Sequence, residues 1–274
     1  MRIGGKAQFF AELKTEKDVE EAPRFAAEKK VCLIPLGNGS NTVFADGEIR
    51  ALVVQVKHNK VDIDASRITV GAGKNLAMLI NELAEGGYDL SALTGIPGTI
   101  GGAVFGNAGQ GPKGIWIDAF VESVTAYQDG VWKNFTRDEC GFSYRESVFK
   151  HTPSPVILWE ATLIVPRGDP VLIQETVQKL LKNRMETQPH QRTAGSCFKA
   201  VGSVPAWKLI DAAGLRGAKV GDVEISPKHA NFLISGAEPK YADLTALIEK
   251  VRATIPEHLD IEMRCIERDG SIRF

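Results

Sequence analysis

Two glycine-rich stretches hold residue types whose spacing could do chemistry: LGNGSNTVF (36–44) and IPGTIGGAVFGNAG (96–109). Glycine lets successive backbone N–H groups point the same way, and such a nest binds anionic oxygens without a lysine. In the first stretch Leu36, Gly37, Asn38 and Gly39 lead into the short polar side chains of Ser40, Asn41 and Thr42. In the second, Ile96, Pro97, Gly98 and Thr99 precede Gly101, Gly102 and Ala103, and Asn107, Ala108 and Gly109 close it. A third glycine turn, Gly71, Ala72 and Gly73, follows a strand candidate. This chemistry suits a pyrophosphate met by backbone dipoles, with a flat ring lying close to the main chain. The alternative is a set of tight loops that use glycine for geometry alone. The spacing is not the G-x-G-x-x-G of a dinucleotide fold opening a helix, and no G-K-[ST] occurs, so neither of those nucleotide sites is expected.

Three further segments carry reactive side chains. YRESVFK contains Arg145, whose guanidinium can grip a carboxylate with two parallel hydrogen bonds or pair with Glu146 at the surface. AGSCFK contains Ser196 and Lys199, and a serine after Ala-Gly also suits a turn or a cap. DIEMR contains Glu262. If Ile261 and Met263 face the core, Glu262 points to the opposite face of a strand, either into a site or into solvent. Tyr144 could line a pocket, and so could His229, which equally suits a structural role.

The 274 residues include 33 Lys plus Arg against 34 Asp plus Glu, a formal net charge of -1. That balance leaves no electrostatic footprint for nucleic acid or an anionic membrane. No apolar run approaches the ~20 residues of a bilayer span, and MRIGGKAQFF lacks the apolar core of a signal peptide, so a cytoplasmic protein is expected. Cys32, Cys140, Cys197 and Cys265 are far apart and form no C-x-x-C pair. Neither zinc nor a disulfide framework is expected from them, only buried packing.

The elements that must position these groups follow from periodicity. VCLIPL (31–36), ALVVQV (51–56), RITVGAG (67–73), AFVESVTAYQDG (119–130) and SPVILWEATLIV (154–165) read as strands between turns. NLAMLINELAEGG (75–87) reads as a helix with Asn75 as its N-cap and Gly86 or Gly87 at its end. After PRGDP the character changes. VLIQETVQKLLKNRMETQ (171–188) is helical, SVPAWKLIDAAGLRG predicts a helix capped by Ser203, and YADLTALIEKVRATIP predicts one closed by Pro256. HANFLIS and DIEMRCIE are extended. The chain is expected to divide near residue 168, into a strand-rich and a helix-rich α+β part.

PLGNGSNTVFAD, TGIPGTIGGAVFGNAG, CGFSYRESVFK, AGSCFK and SPKHANFLI, in that order, resemble the UDP-N-acetylenolpyruvoylglucosamine reductases, the MurB family, in its shorter class. The resemblance implies an α+β fold. Residues 1–168 would form a two-lobed FAD-binding domain of the vanillyl-alcohol-oxidase (PCMH) type. Residues 169–274 would form a substrate-binding domain whose last strand returns to the active site. It implies reduction of an enolpyruvyl ether to a lactyl ether, giving UDP-N-acetylmuramate, by a cytoplasmic monomer that takes NADPH and a UDP-sugar. FAD would lie non-covalently against the three glycine segments. No His or Cys lies between His58 and Cys140 to tether it.

By the same resemblance Arg145 polarises the substrate, Ser196 donates a proton, Glu262 works with Arg145 near the enol carbons, and Tyr144 and Lys199 contact the substrate. The chain departs from the family pattern at Ala200-Val201 and at Gln110-Gly111-Pro112. An FAD-dependent oxidase on the same fold, or a non-catalytic flavin-binding relative, is the competing reading.

Overall fold

The computed structural model describes residues 1–110 and 114–273. In chain order the first elements are β1 (Lys6–Leu13), α1 (Glu16–Lys29), β2 (Cys32–Pro35), β3 (Thr42–Phe44), β4 (Glu48–Val56), β5 (Val61–Asp64) and β6 (Arg67–Gly71). Next come α2 (Leu76–Glu85), α3 (Ile100–Phe105), β7 (Val121–Gln128), β8 (Val131–Thr136), β9 (Ile157–Ile164) and α4 (Pro170–Thr187). The last are β10 (Thr193–Ser196), α5 (Ala206–Ala212), β11 (Lys219–Val220), β12 (Val223–Ile225), β13 (Phe232–Ser235), α6 (Tyr241–Thr254) and β14 (Arg264–Ile266).

Local sequence explains most boundaries. The Asn75 side chain accepts the Met78 N–H at 3.0 Å and starts α2 as expected, an N-cap whose loss typically costs about 1 kcal/mol. Leu76, Leu79, Ile80 and Leu83 then bury one helical face. Helix α1 is not among the expected elements, although it carries a legible start signal. Thr15 and Asp18 form a reciprocal capping box, with Asp18 N–H to Thr15 Oγ1 at 3.2 Å and Thr15 N–H to Asp18 Oδ2 at 2.8 Å.

Helix α5 corrects the expected cap. It starts after Pro205, and Ser203 sits in a turn where Val201 and Val204 exchange both backbone hydrogen bonds at 3.0 Å. Proline drives the residue before it out of the helical region, so the helix cannot reach back to Ser203.

Two compact units result. One takes Phe9–Asn38 and Leu52–Asn183. Its antiparallel sheet has the order β5-β6-β9-β7-β8, and α3 lies against β9. Ile68, Val70, Leu79, Ile100, Val124 and Leu163 belong to its main buried cluster. A second cluster joins α1, through Val19, Ala22 and Ala26, to Leu52, Ile157 and Trp159.

The other unit takes Met1–Gln8, Gly39–Ala51 and the chain from Arg184 onward. It holds the antiparallel sheet β10-β13-β12-β11, with α6 against β11 and β12, and a parallel pair of β14 with β3. The units therefore are not the consecutive blocks 1–168 and 169–274. Pairing of Thr42 with Arg264 and Phe44 with Ile266 binds residues 39–51 to the C-terminal part. Val177 sinks into the first unit's core and holds α4 there as far as Asn183.

Candidate active site

In the unit containing the large sheet, backbone hydrogen bonds gather the glycine segments. Strand β6 ends at Gly71, and the next N–H groups are fixed in turn: Gly71 to Lys60 O at 2.9 Å, Ala72 to Trp159 O at 2.7 Å and Gly73 to His58 O at 2.8 Å. This turn holds the next segment through Gly101 N–H to Ala72 O at 2.9 Å and Ile100 N–H to Lys74 O at 2.9 Å. A Cβ at Gly101 would stand 3.0 Å from the Ala72 Cβ, and one at Gly37 would stand 2.7 Å from Thr99 Oγ1. A side chain would crowd the neighbouring segment at both positions, most tightly at Gly37, because these chains approach so closely. Residues 36–38, 71–73 and 96–102 thus lie together, with Ala72, Ile96, Thr99 and Ile100 buried and Pro97 and Gly102 exposed.

Gly39, in the other unit, is different. Its φ is +66° and nothing lies within 4 Å of its Cβ position, so conformation rather than crowding calls for glycine there.

Two polar side chains expected at the cofactor turn inward. Thr99 Oγ1 caps α3, accepting the Gly102 N–H at 3.2 Å. Asn107 is fully buried; its Nδ2 donates to Ser143 O at 2.8 Å and its Oδ1 accepts the Asp118 N–H at 3.2 Å. Both side chains are thus taken up in holding the loop itself. Asn107 also has a φ of +41°. Asn107→Ala should therefore destabilise the protein by roughly 2–4 kcal/mol, combining orphaned buried partners with a left-handed conformation that alanine resists. Denaturant unfolding checks this, and a loss within experimental scatter would count against it.

Arg145 lies in this same unit and also adopts a left-handed backbone, φ +60°. Strain of this kind, about 1–3 kcal/mol, persists only where surroundings enforce it. Its Nη2 donates to Gly109 O at 2.7 Å and its Nη1 reaches Asn107 O at 3.5 Å. Its carbonyl accepts from Lys150 Nζ, and its Cζ stands 5.7 Å from the Tyr144 ring centroid. Glu146, the partner for a surface ion pair, meets His151 Nε2 at 2.7 Å. Gln110 donates its side-chain N–H to Ala92 O at 3.0 Å, while Gly111 and Pro112 lie outside the described residues.

The unit with the small sheet places the other candidates. Strands β10 and β13 slip register between Thr193↔Ile234 and Ser196↔Phe232, and Gly195 there has φ +80°. This bulge bends the strand and re-aims Ser196 at its end, so Ser196 is neither a turn nor a cap residue. The chain then pairs with residues 260–262: Glu262 N–H to Cys197 O at 2.7 Å, Lys199 N–H to Asp260 O at 2.8 Å, and a bridge between Phe198 and Ile261. Ser196, Lys199 and Glu262 are thereby on adjacent backbones.

Asn41 joins them, its Nδ2 donating to Ala194 O at 2.8 Å and its carbonyl accepting the Arg264 N–H at 3.0 Å. Asn231, which sequence reasoning passed over inside SPKHANFLI, clamps Phe198 from both sides, at 3.0 and 2.8 Å. Glu262 precedes β14 instead of lying on it; Met263 is buried, Ile261 and Glu262 only half so.

Cys197, beside Ser196, is buried, and burial pushes its thiol well above the usual range. Burial likewise pushes Cys140 and Cys265 up to about 12. These three are packing residues, as expected; Cys32 is exposed, so packing does not account for it. Burial lowers the His229 pKa, and its ring meets Trp207 and Phe232 while its Nδ1 accepts the Asn231 N–H at 3.3 Å. The structural role fits it. Among the described residues no cluster of His, Cys, Asp and Glu could hold a metal, and no helix is long and apolar enough to cross a membrane.

The chain is similar to known proteins along most of its length. Residues 7–130 match an FAD binding domain family, and residues 188–265 match the C-terminal domain of UDP-N-acetylenolpyruvoylglucosamine reductase. The chain is 35% identical over 266 residues to the UDP-N-acetylenolpyruvoylglucosamine reductase of Carboxydothermus hydrogenoformans, covering 96% of this chain and 87% of that one. The enzyme of the same name from Dinoroseobacter shibae is 34% identical over 271 residues, 93% of this chain and 86% of its own. The crystal structure of UDP-N-acetylenolpyruvylglucosamine reductase (MurB) from Thermus caldophilus superposes with a TM-score of 0.84 at 30% identity, over 96% of this chain and 93% of that one. The α+β FAD-binding fold is therefore the one the motifs predict, and the chain belongs to the UDP-N-acetylenolpyruvoylglucosamine reductase family.

Proposed function

We propose that this chain reduces the enolpyruvyl ether of UDP-N-acetylglucosamine enolpyruvate to the lactyl ether of UDP-N-acetylmuramate, a step of peptidoglycan precursor synthesis. NADPH is the reductant and FAD the resident cofactor. The observation that carries this reading is the Gly195 bulge, which sets Ser196 at a strand end with Glu262 on the adjoining backbone. The glycine segments fit FAD, because Gly102 is exposed and Gly37, Gly73, Gly98 and Gly101 are only half-buried, and a glycine-rich main chain can meet a pyrophosphate directly.

Leu36–Thr42, the Gly71, Ala72 and Gly73 turn, and residues 96–109 hold the cofactor. Among these, Ile96, Pro97, Gly98, Ala103, Ala108 and Gly109 contribute chiefly backbone. With no His or Cys between His58 and Cys140, the attachment is non-covalent, which disfavours a tethered oxidase. When bound, FAD reduced by NADPH supplies a hydride to the substrate methylene.

The protein does the rest. Arg145 grips the substrate carboxylate, with Tyr144 beside it, and stabilises the negative charge that develops next to it. One preorganised donor of this kind is typically worth ~10²–10³ in rate. Ser196 gives its proton to the carbon bearing the ether oxygen and the carboxylate, and recovers one from solvent. Hydride and proton together saturate the double bond. A serine hydroxyl is a weak acid until its oxyanion is stabilised; Lys199 supplies positive charge, and Glu262 works with Arg145 at the enol carbons. The net charge of -1 suits a small-molecule substrate better than nucleic acid, and we take the protein to act in the cytoplasm as a monomer.

The test is anaerobic. NADPH added to the purified flavoprotein should bleach the yellow colour, and the enolpyruvyl UDP-sugar should restore it with formation of the lactyl ether. Bleaching reversed only by oxygen would instead support the oxidase reading. A protein that stays colourless after FAD is supplied would sink both.

A further inference from the structure

We infer that Trp116 is a positioning residue for Arg145: its indole locks the backbone turn whose carbonyls hold the guanidinium. The inference rests on the role proposed above for Arg145. Trp116 lies outside the five motifs, so nothing in them points to it.

The geometry is close-fitting on two sides. Gly109 and Trp116 form an antiparallel bridge, and a Cβ at Gly109 would fall 1.9 Å from Trp116 Cδ1 and 2.6 Å from Trp116 Cα. The carbonyl of that same Gly109 accepts Arg145 Nη2 at 2.7 Å. On its other side the indole meets the Tyr144 ring, centroids 5.8 Å apart and planes at 57°, and Tyr144 is the ring next to the guanidinium. Trp116 thus pairs with the glycine whose carbonyl anchors Arg145 and meets the aromatic side chain that flanks the guanidinium.

The anchor behind Trp116 is firm. Ile117 is fully buried and its N–H donates to Ala108 O at 2.9 Å, and Asp118 N–H reaches Asn107 Oδ1 at 3.2 Å. Residues 116–118 therefore strap 107–109 in place. The left-handed backbone of Arg145 needs such external enforcement, since that conformation is unfavourable for a side chain of its size. Removing the indole opens space against Gly109, lets its carbonyl shift and frees the guanidinium to leave its productive pose. A displacement of about 1 Å at a group that positions substrate can cost ~10²-fold in rate.

The experiment separates the two half-reactions in the FAD-loaded enzyme by anaerobic stopped flow, for wild type, Trp116→Ala, Trp116→Leu, Trp116→Phe, Arg145→Ala and the Trp116→Ala/Arg145→Ala pair. We expect Trp116→Ala to slow flavin reoxidation by the enolpyruvyl UDP-sugar about 10- to 100-fold while leaving bleaching by NADPH and FAD affinity within about twofold of wild type. Phenylalanine should restore most of the rate. The double variant should be no slower than Arg145→Ala alone, because the two residues act through one contact. Should the alanine variant fold poorly, Trp116→Leu carries the same test. Equal slowing of both half-reactions, loss of FAD, or a full additional loss on top of Arg145→Ala would overturn the positioning role. An Arg145→Ala enzyme that reoxidises normally would overturn the reading of Arg145 itself, and the inference with it.

Discussion

Ser196→Ala leaves flavin bleaching by NADPH intact and slows turnover by about 10²–10⁴-fold, the usual worth of a positioned proton donor. The substitution removes one oxygen from a half-buried residue at the end of β10 and disturbs neither the bulge nor its glycine. The backbone bonds that follow, Cys197 N–H to Asn231 O at 2.8 Å and Glu262 N–H to Cys197 O at 2.7 Å, do not use the hydroxyl. Stability should therefore stay close to wild type, and the loss should fall wholly in the step that uses the enolpyruvyl substrate. Cys197 cannot substitute as donor, since it is buried and burial holds its thiol well above the usual range. Rapid-mixing traces of both half-reactions decide the matter. Near-normal reoxidation by the substrate would remove Ser196 from its role and leave the proton to Glu262 or to water.

Arg145→Ala has the second large effect, a loss of ~10²–10³ in the rate of flavin reoxidation by the substrate. Arg145→Lys should recover only part of it, because an ammonium offers one point of charge where the guanidinium offers two parallel donors. The guanidinium rests on Gly109 O at 2.7 Å with Tyr144 beside it. Both variants should keep the NADPH half-reaction. Arg145→Gly adds a check on backbone strain: relief of the left-handed conformation should offset much of the stability lost with the two hydrogen bonds, while activity falls as far as in the alanine variant. A glycine variant markedly less stable than the alanine one would show that the backbone there is unstrained.

Much of this was legible before any coordinates. The glycine stretches stand out by their local density of glycine, whereas Arg145, Ser196 and Glu262 are singled out only by the resemblance of five motifs occurring in one order. Asn75 and the 3.6-residue spacing after it specify α2, since helix starts are written in side chains that satisfy their own local N–H groups. The same local code was present at Thr15 and Asp18.

Tertiary structure alone decided the rest, wherever the deciding partner lies far away in sequence. Residues 39–51 join the C-terminal part because Thr42 pairs with Arg264, a choice no local pattern encodes. Which glycines are crowded and which are merely left-handed follows from neighbours such as Thr99 at Gly37 and Ala72 at Gly101. The inward turn of Asn107 rests on Ser143 and Asp118. The place of Trp116 against Gly109 and Tyr144 is likewise a matter of chain folding. Local sequence specifies groups and the elements that carry them; long-range backbone pairing and close packing determine which of those groups meet.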